Sequence, residues 1–526
     1  MNATETHKKT LGAFISTIVS DDLLKAQEMI HVPSFIEAME QELKRLEEQK
    51  TPWSPDYDNL ISCNNVDDVK AVIKRGRDEQ KIVRIAGAQH SAPEAVFARK
   101  EEPCLHVKLE NELRQVNVIE ENKTEGYLLV RVGAGCNLGI DPSDPNSNAD
   151  NSFNRIVDKM GYALPILGGM SHQTVGGFMM TSTAGGSLSH GFADVVESIE
   201  FIDGTGQEQV LQRGSDAFYA AAVSMGLFGV LTYVTVKLGK NYLVAGVEET
   251  VMVQDSIIAN AATFETALKT QEYVHCVWFP EEGVQRVLQF KGAQTANEQP
   301  IIPYVHVLQN KVMNYIAAAV LFAVNELQYE GSAVSNKIAA FLLCLVNTLD
   351  SKHFRDHWYI ALPNDDQAMI DTVIRVQFTE IWIDVNYTDE VMKALTDLFK
   401  SDPMAAGNFG VELYGAKASP FWMSQSFNRD VIRVDPYWWE YNPTGNLQDF
   451  FTKYWDVLLK IPTARLHWGK HFPAVGTEIG NIVIGPEYVM QAFPKFKEWL
   501  SFREKFDPGQ VFVTNYWRAM LGISQK

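Results

Sequence analysis

Cysteine is sparse and scattered. Five residues (Cys63, Cys104, Cys136, Cys276 and Cys344) are spread through 526, and no two form a CxxC pair or a metal-ligand spacing. An odd, dispersed set argues against a disulfide framework or a bound metal and fits reduced core thiols. Basic charge is in deficit: 46 Lys and Arg against 65 Asp and Glu leave a formal net charge of −19. That balance speaks against a nucleic-acid binder or a protein held on anionic membranes, while a local basic pocket stays open. Long apolar runs are missing as well. The two longest, 315–324 and 338–346, fall short of the ~20 residues needed to span a bilayer. The modest run 11–19 is followed at once by two aspartates, a poor secretory signal. These absences predict a cytoplasmic protein with no membrane segment. No internal repeat and no low-complexity tract stands out. Hydrophobic content of 46% and charged content of 21% suit a globular protein, and the length calls for more than one core.

What the chain does have is glycine in one place. Between Leu167 and Gly191 lie Gly168, Gly169, Gly176, Gly177, Gly185, Gly186 and Gly191, laced with Ser171, Thr174, Thr181, Ser182, Thr183 and Ser187. Side-chain-free residues let backbone amides come close to a ligand, and hydroxyls add donors for phosphate oxygens. Val175, Phe178, Met179 and Met180 inside the stretch set it apart from a solvated linker.

The pattern along the chain divides it into four parts. Residues 1–57 read as a helical appendage ended by Thr51-Pro-Trp-Ser-Pro. Residues 58–240 mix short strands and helices. A helix opened by Asn65 and Asp67 precedes the strand 82–86, and a strand 195–202 is closed by the hairpin signal Asp203-Gly-Thr-Gly206. Residues 241–460 carry strands with a helix at 256–271, an apolar helical region at 305–350 and helices at 391–399 and 447–461. Residues 461–526 form a last segment. Mixed elements at this spacing argue for an α+β or α/β fold.

His90 ends Arg84-Ile-Ala-Gly-Ala-Gln-His, just past a strand in a tight glycine loop. Ligands bind at such strand–loop mouths, and an imidazole nitrogen can bond covalently to an electrophilic cofactor. The pair Gly87–Ser91 and Gly168–Gly186 resembles the FAD-binding domain of the vanillyl-alcohol-oxidase superfamily. Gly226-Leu-Phe-Gly229 resembles that family's later glycine turn beside the flavin, and Glu412-Leu-Tyr414, Asn428-Arg-Asp430, Arg465-Leu-His-Trp-Gly-Lys470 and Phe506–Asn515 resemble its sugar-lactone and alditol oxidase branch. The resemblance implies an α+β fold: a two-subdomain PCMH-type FAD-binding domain at 58–240, a cap (substrate) domain with antiparallel sheet and helices at 241–460, and a C-terminal segment returning to the flavin. It implies FAD held by Gly87, Ala88, Gln89, His90, Ser91, Gly169, Ser171, His172, Thr174, Gly176, Gly177, Thr181, Thr183, Gly185, Gly229, Leu231 and Asn515. It further implies a covalent bond through His90, single because Met170 stands where berberine-bridge-type members have a second, cysteine link.

The departures fall on the substrate side. The sugar-oxidase branch has Glu-x-Arg where this chain reads Glu412-Leu-Tyr414, so the guanidinium is missing. It has a histidine where this chain has Asp435, and Thr-His-Gly where it has Thr183-Ala184-Gly185. Lys470 and Glu412 are retained. The implied reaction is FAD-dependent hydride removal from a CH–OH group of an aldonolactone, a sugar alcohol or a more hydrophobic alcohol, with oxygen as the electron acceptor. Lys470, Glu412, Asp435 and Tyr414 are the candidate catalytic residues. A carboxylate, Glu412 or Asp435, could accept the hydroxyl proton, and Lys470 could stabilise the developing charge. Lys470 paired with Glu412 or Asp435 is equally the pattern of a structural salt bridge. The aromatic cluster of Phe421, Trp422, Tyr437, Trp438, Trp439 and Tyr441 reads mainly as core. The lost Arg and His keep a second reading open: a secondary-metabolite tailoring flavoprotein, oxidative or a non-redox cyclase or isomerase.

Overall fold

The computed structural model describes residues 60–305, 320–328, 332–363 and 376–526, except positions 143, 322, 326, 408, 441, 443 and 444. The helical reading of 1–57, much of the 305–350 region and Tyr441 lie outside these residues.

The first half is built on two sheets. The strands β1 (Ile61–Cys63), β2 (Ile82–Ile85) and β3 (Cys104–Leu109) make a small parallel sheet in the order β1–β3–β2. The helix α1 (Val66–Asp78) is capped by the Asn65 side chain, which accepts from the Asp68 amide. It buries Val69, Val72, Ile73 and Gly76, the i, i+3, i+4, i+7 stripe of an amphipathic helix. An antiparallel sheet follows, of β4 (Val116–Asn122), β5 (Tyr127–Gly133), β6 (Val196–Asp203), β7 (Glu208–Gln212) and β8 (Gly229–Lys240) in the order β4–β5–β8–β6–β7. The β6–β7 hairpin closes where the sequence signals it: Asp203 Oδ1 accepts from the amides of Thr205 and Gln207, and Gly206 takes φ 86°. Between β5 and β6 the glycine-rich stretch includes one short helix, α2 (Val175–Met180), capped by Thr174.

The second half is one large antiparallel sheet. Its strands are β9 (Leu243–Met252), β10 (Tyr273–Phe279), β11 (Arg286–Thr295), β12 (Asp350–His357), β13 (Ile381–Asp384), β14 (Val411–Ala416) and β15 (Val431–Trp439). They run in the order β12–β9–β11–β10–β14–β15–β13, with short strands at Arg465–Leu466 and Val376–Phe378 added at β13 and β15. The helix expected at 256–271 starts five residues later, at Ala261. Asn260, not Ser256, accepts the cap bond, from the Thr263 amide, and Val253–Asp255 form a separate tight turn. The helical reading of 305–350 overruns at its end, since Asp350 already pairs in β12. Amphipathic helices α3 (Thr388–Ser401) and α4 (Leu447–Leu458) pack together and against this sheet. One buried apolar cluster runs through all three sheets. Phe421, Trp422, Tyr437 and Trp439 are buried in it or beside it, and Trp438 is half-buried. No helix among the described residues is long and apolar enough to cross a membrane.

Candidate active site

The C-terminal ends of β2 and β3, the loop after β5 and the glycine stretch enclose a cavity of about 420 Å³. That size is in the ~300–1,000 Å³ range of ligand sites. Gly87, Ala88, Gln89, His90 and Ser91 line it from one side, Thr174, Gly176, Gly177 and Thr181 from another, and Gly229 and Leu231 from β8. The loop turns tightly at Gln89, a non-glycine residue held at φ 66°, so the backbone is strained immediately before His90. Two glycines show why the cradle needs hydrogen for a side chain. A Cβ on Gly87 would lie 2.5 Å from Thr174 Oγ1, and one on Gly135 would lie 2.5 Å from the Leu109 carbonyl oxygen. The buried Gln173 Oε1 at the wall has no hydrogen-bond partner. Close backbone approach, hydroxyls, an orphan polar atom and a wall carrying Lys108, Arg114, Glu110, Asp141 and Asp144 together suit a dinucleotide. Gly135→Ala should destabilise the fold by about 1–3 kcal/mol, the cost of overpacking, and lower the flavin content per chain. Thermal unfolding and visible absorbance measure both.

The other residues expected to hold the cofactor do not line this cavity. Ser171 and His172 line a separate cavity of about 280 Å³, although the His172 ring stands edge-on to His90 at 4.6 Å. Thr183 Oγ1 is 3.4 Å from Thr181 Oγ1. Gly185 packs on Leu167. Neither it, Gly169 nor Thr183 lines the cavity. Asn515 opens the C-terminal helix and gives its amide to Glu102 at 2.7 Å, because a helix start needs an acceptor there. The sequence reading missed the loop after β5: Ala134, Gly135, Asn137, Asp141 and Asp144 all line the cavity. Its signal was visible in Gly133-Ala-Gly135, a glycine pair directly after a strand. Trp468 and Trp517 complete the wall from the C-terminal segment.

The substrate-side candidates gather where the glycine stretch meets the large sheet. Val274 gives its amide to the Gly186 carbonyl at 2.8 Å, and Ser187 bridges to Ala416. Lys470 follows the turn after Arg465–Leu466. Its Nζ donates to the His90 carbonyl at 3.3 Å and stands 3.6 Å from the Phe378 ring centre. The expected pairing of Lys470 with Glu412 or Asp435 is not what the sheet makes. The carboxylate beside Lys470 is Glu380, at 3.9 Å, which the sequence reading did not single out. Glu412 is bonded instead by His275 and by the Tyr437 hydroxyl, and Asp435 by Arg433 at 2.9 Å. The reason is register: Glu412 and Asp435 face each other across β14 and β15, with their partners on those and the adjoining strands.

All these groups are buried, so their charges are set by one another. Burial works to raise Glu380, but Arg433 at 2.8 Å, with His467 and Lys470, outweighs it and holds the carboxyl at about 2. Burial also works to raise Glu412, and His275, Tyr437 and Arg433 leave it below the usual range. Asp435 goes the other way: full burial, with Glu380 and Glu412 nearby, pushes it well up against the pull of Arg433. Burial lowers Lys470, opposed by Glu380 and Asp435.

Burial, opposed by Glu380 and aided by the cations Lys470 and Arg433, depresses His467 to about 4, and its Nδ1 accepts from the Gly469 amide as a neutral ring would. The unfolded chain holds an extra proton here between that value and ~6.5. Stability should therefore fall by about 3 kcal/mol as pH drops through this window. Denaturant titrations at several pH values should show the slope in the parent and not in His467→Gln; equal slopes would contradict it.

A parallel and an antiparallel sheet around a glycine cradle, facing a larger antiparallel sheet with a buried lysine, define an FAD-binding domain joined to a substrate domain. Residues 57–212 match the FAD binding domain family, and 247–520 match the D-arabinono-1,4-lactone oxidase family. The chain belongs to the D-arabinono-1,4-lactone oxidase family. It is 25% identical over 241 residues to D-arabinono-1,4-lactone oxidase of Kluyveromyces lactis, covering 45% of this chain but 41% of that protein. The match thus spans about two fifths of the yeast relative's length. To L-gulonolactone oxidase of Mus musculus it is 22% identical over 477 residues, 86% of this chain and 92% of that one. Cholesterol oxidase from Brevibacterium sterolicum superposes with a TM-score of 0.65 at 13% identity, over 88% of this chain and 93% of the other, a likeness of fold.

Proposed function

We propose that the protein is an FAD-dependent oxidoreductase that removes hydride from a CH–OH carbon of a neutral hydroxy compound. Aldonolactones are the first candidates, and a more hydrophobic alcohol the next. One observation carries the reading: Lys470, a buried cation, is bonded to the carbonyl of His90 at the mouth of a dinucleotide-sized cradle and faces the large sheet. FAD, held by the cradle residues, would supply the hydride acceptor, with oxygen as the proposed final oxidant. The residues of the chain do the rest. Lys470 offers a preorganised positive charge where negative charge develops on the alcohol oxygen. Glu412, kept ionised by His275 and Tyr437, is the proton acceptor within reach of Tyr437. Glu380 keeps a compensating charge beside Lys470 and has Arg433 as its own stronger partner.

Glu380, Glu412 and Asp435 make this face rich in carboxyl groups, which favours a neutral ring over an acid. Phe378 and Tyr437, 4.9 Å apart, add apolar wall. His90 is the residue we propose to bond the flavin, given its place on the cavity wall. The test is anaerobic mixing with D-arabinono-1,4-lactone, L-gulono-1,4-lactone and xylitol. Loss of the flavin's visible absorption with any of them supports the reading. A flavin that stays oxidised with all of them, while a bound product forms by cyclisation or isomerisation, would favour the non-redox alternative.

A further inference from the structure

The sequence leaves the substrate face without two groups, a guanidinium at position 414 and an imidazole at 435. The sheet brings both back from neighbouring strands. Tyr414 on β14 is paired directly with His275 on β10 and with Arg433 on β15. The His275 ring stands edge-on to Tyr414 at 5.5 Å, and the Arg433 guanidinium lies over the same ring at 4.0 Å.

We propose that Arg433 and His275 are positioning residues of the substrate site, Arg433 fixing the Glu380–Asp435 pair and His275 fixing Glu412. The proposal rests on the oxidoreductase reading and goes beyond it, because it assigns the missing functions to side chains on different strands.

Arg433 is 3% exposed. It is stacked between the rings of Tyr414 and Trp382, the latter at 4.5 Å. Its Nη2 reaches Glu380 Oε2 at 2.8 Å and Asp435 Oδ2 at 2.9 Å. Its Nη1 donates to the Ala184 carbonyl at 2.6 Å. One planar group thereby joins the carboxylate beside Lys470, a second carboxylate and the backbone of the glycine stretch. A lysine ammonium cannot stack and fork in this way. With Nη2 on the two carboxyl groups and Nη1 on the backbone, we assign the effect of Arg433 on the reaction to its hold on these groups and not to contact with substrate. His275 mirrors it on the other side: its Nε2 pairs with one oxygen of Glu412, whose second oxygen takes the Tyr437 hydroxyl. A buried carboxylate that loses its partner takes up a proton. Either substitution would thus change the charge that faces Lys470, to which Glu380, Asp435, Arg433 and Glu412 all contribute.

The experiment uses the FAD-loaded full chain, with L-gulono-1,4-lactone as probe, and the variants Arg433→Lys, Arg433→Ala and His275→Gln. Each should lower kcat by about 100-fold or more, with KM within about threefold. Methylguanidine should restore at least about tenfold in Arg433→Ala and nothing in Arg433→Lys. Variants with kcat within about twofold of the parent, or a loss that follows only the folded fraction and resists rescue, would overturn the proposal. A second readout needs no turnover. In the parent, the ionised Glu380 contributes stability above pH ~4.5 that is lost as pH falls toward 2. In Arg433→Ala, where Glu380 loses the partner that lowers it and holds a proton in the folded chain, that loss of stability on acidification should shrink or disappear, and an unchanged acid limb would overturn the proposal. If the parent itself oxidises no alcohol, the function reading fails by itself, and the acid limb still decides the role of Arg433.

Discussion

Lys470→Met should lower kcat by about 10²–10³, the cost of deleting one preorganised electrostatic stabiliser, and leave the flavin in place. The methionine fills the same space over Phe378 without the charge. Lys470 is 8% exposed and bonded to the His90 carbonyl, so no solvent cation can replace it. The variant should still fold, because Glu380 keeps its shorter ion pair with Arg433. KM should move little if the charge acts mainly in the transition state. Steady-state kinetics with L-gulono-1,4-lactone checks this, and a kcat within threefold of the parent would remove Lys470 from the chemistry.

The second large effect concerns His90. Acid precipitation of the parent should give a yellow pellet, and of His90→Ala a white pellet with all the flavin in the supernatant. The physical basis is placement: His90 lines the cradle, follows the strained Gln89, and is held through its carbonyl by Lys470 and edge-on by His172. A parent that releases its flavin would end the idea of a bond and leave FAD binding itself intact. A peptide map of the yellow pellet should place the flavin on the fragment containing His90.

The glycine cradle was legible in the sequence because its residues are contiguous. Gly87–Ser91 is one loop and Thr174–Gly177 one helix start, and a backbone that must come close to a ligand writes glycine into the chain. Strand and helix order from 58 to 240 was legible for a similar reason, since caps such as Asn65 and turns such as Asp203–Gly206 are local. The substrate face was not. His275, Tyr414 and Arg433 are neighbours only through strand register, and period-two alternation says which face a residue takes, not whom it meets. Hence Glu412 and Asp435 were expected beside Lys470, while Glu380 stands there. The guanidinium absent from position 414 is carried by Arg433 on the next strand. Asn515 shows a further limit: its motif position does not reveal that it starts a helix and gives its amide to Glu102.

The most direct test is to mix the purified protein with D-arabinono-1,4-lactone or L-gulono-1,4-lactone without oxygen and then admit air. The flavin colour should fade within the mixing experiment and return with oxygen, at a fading rate cut by about 10²–10³ in Lys470→Met. A protein that holds no flavin, or whose flavin keeps its colour with every lactone and alcohol offered, would contradict the account.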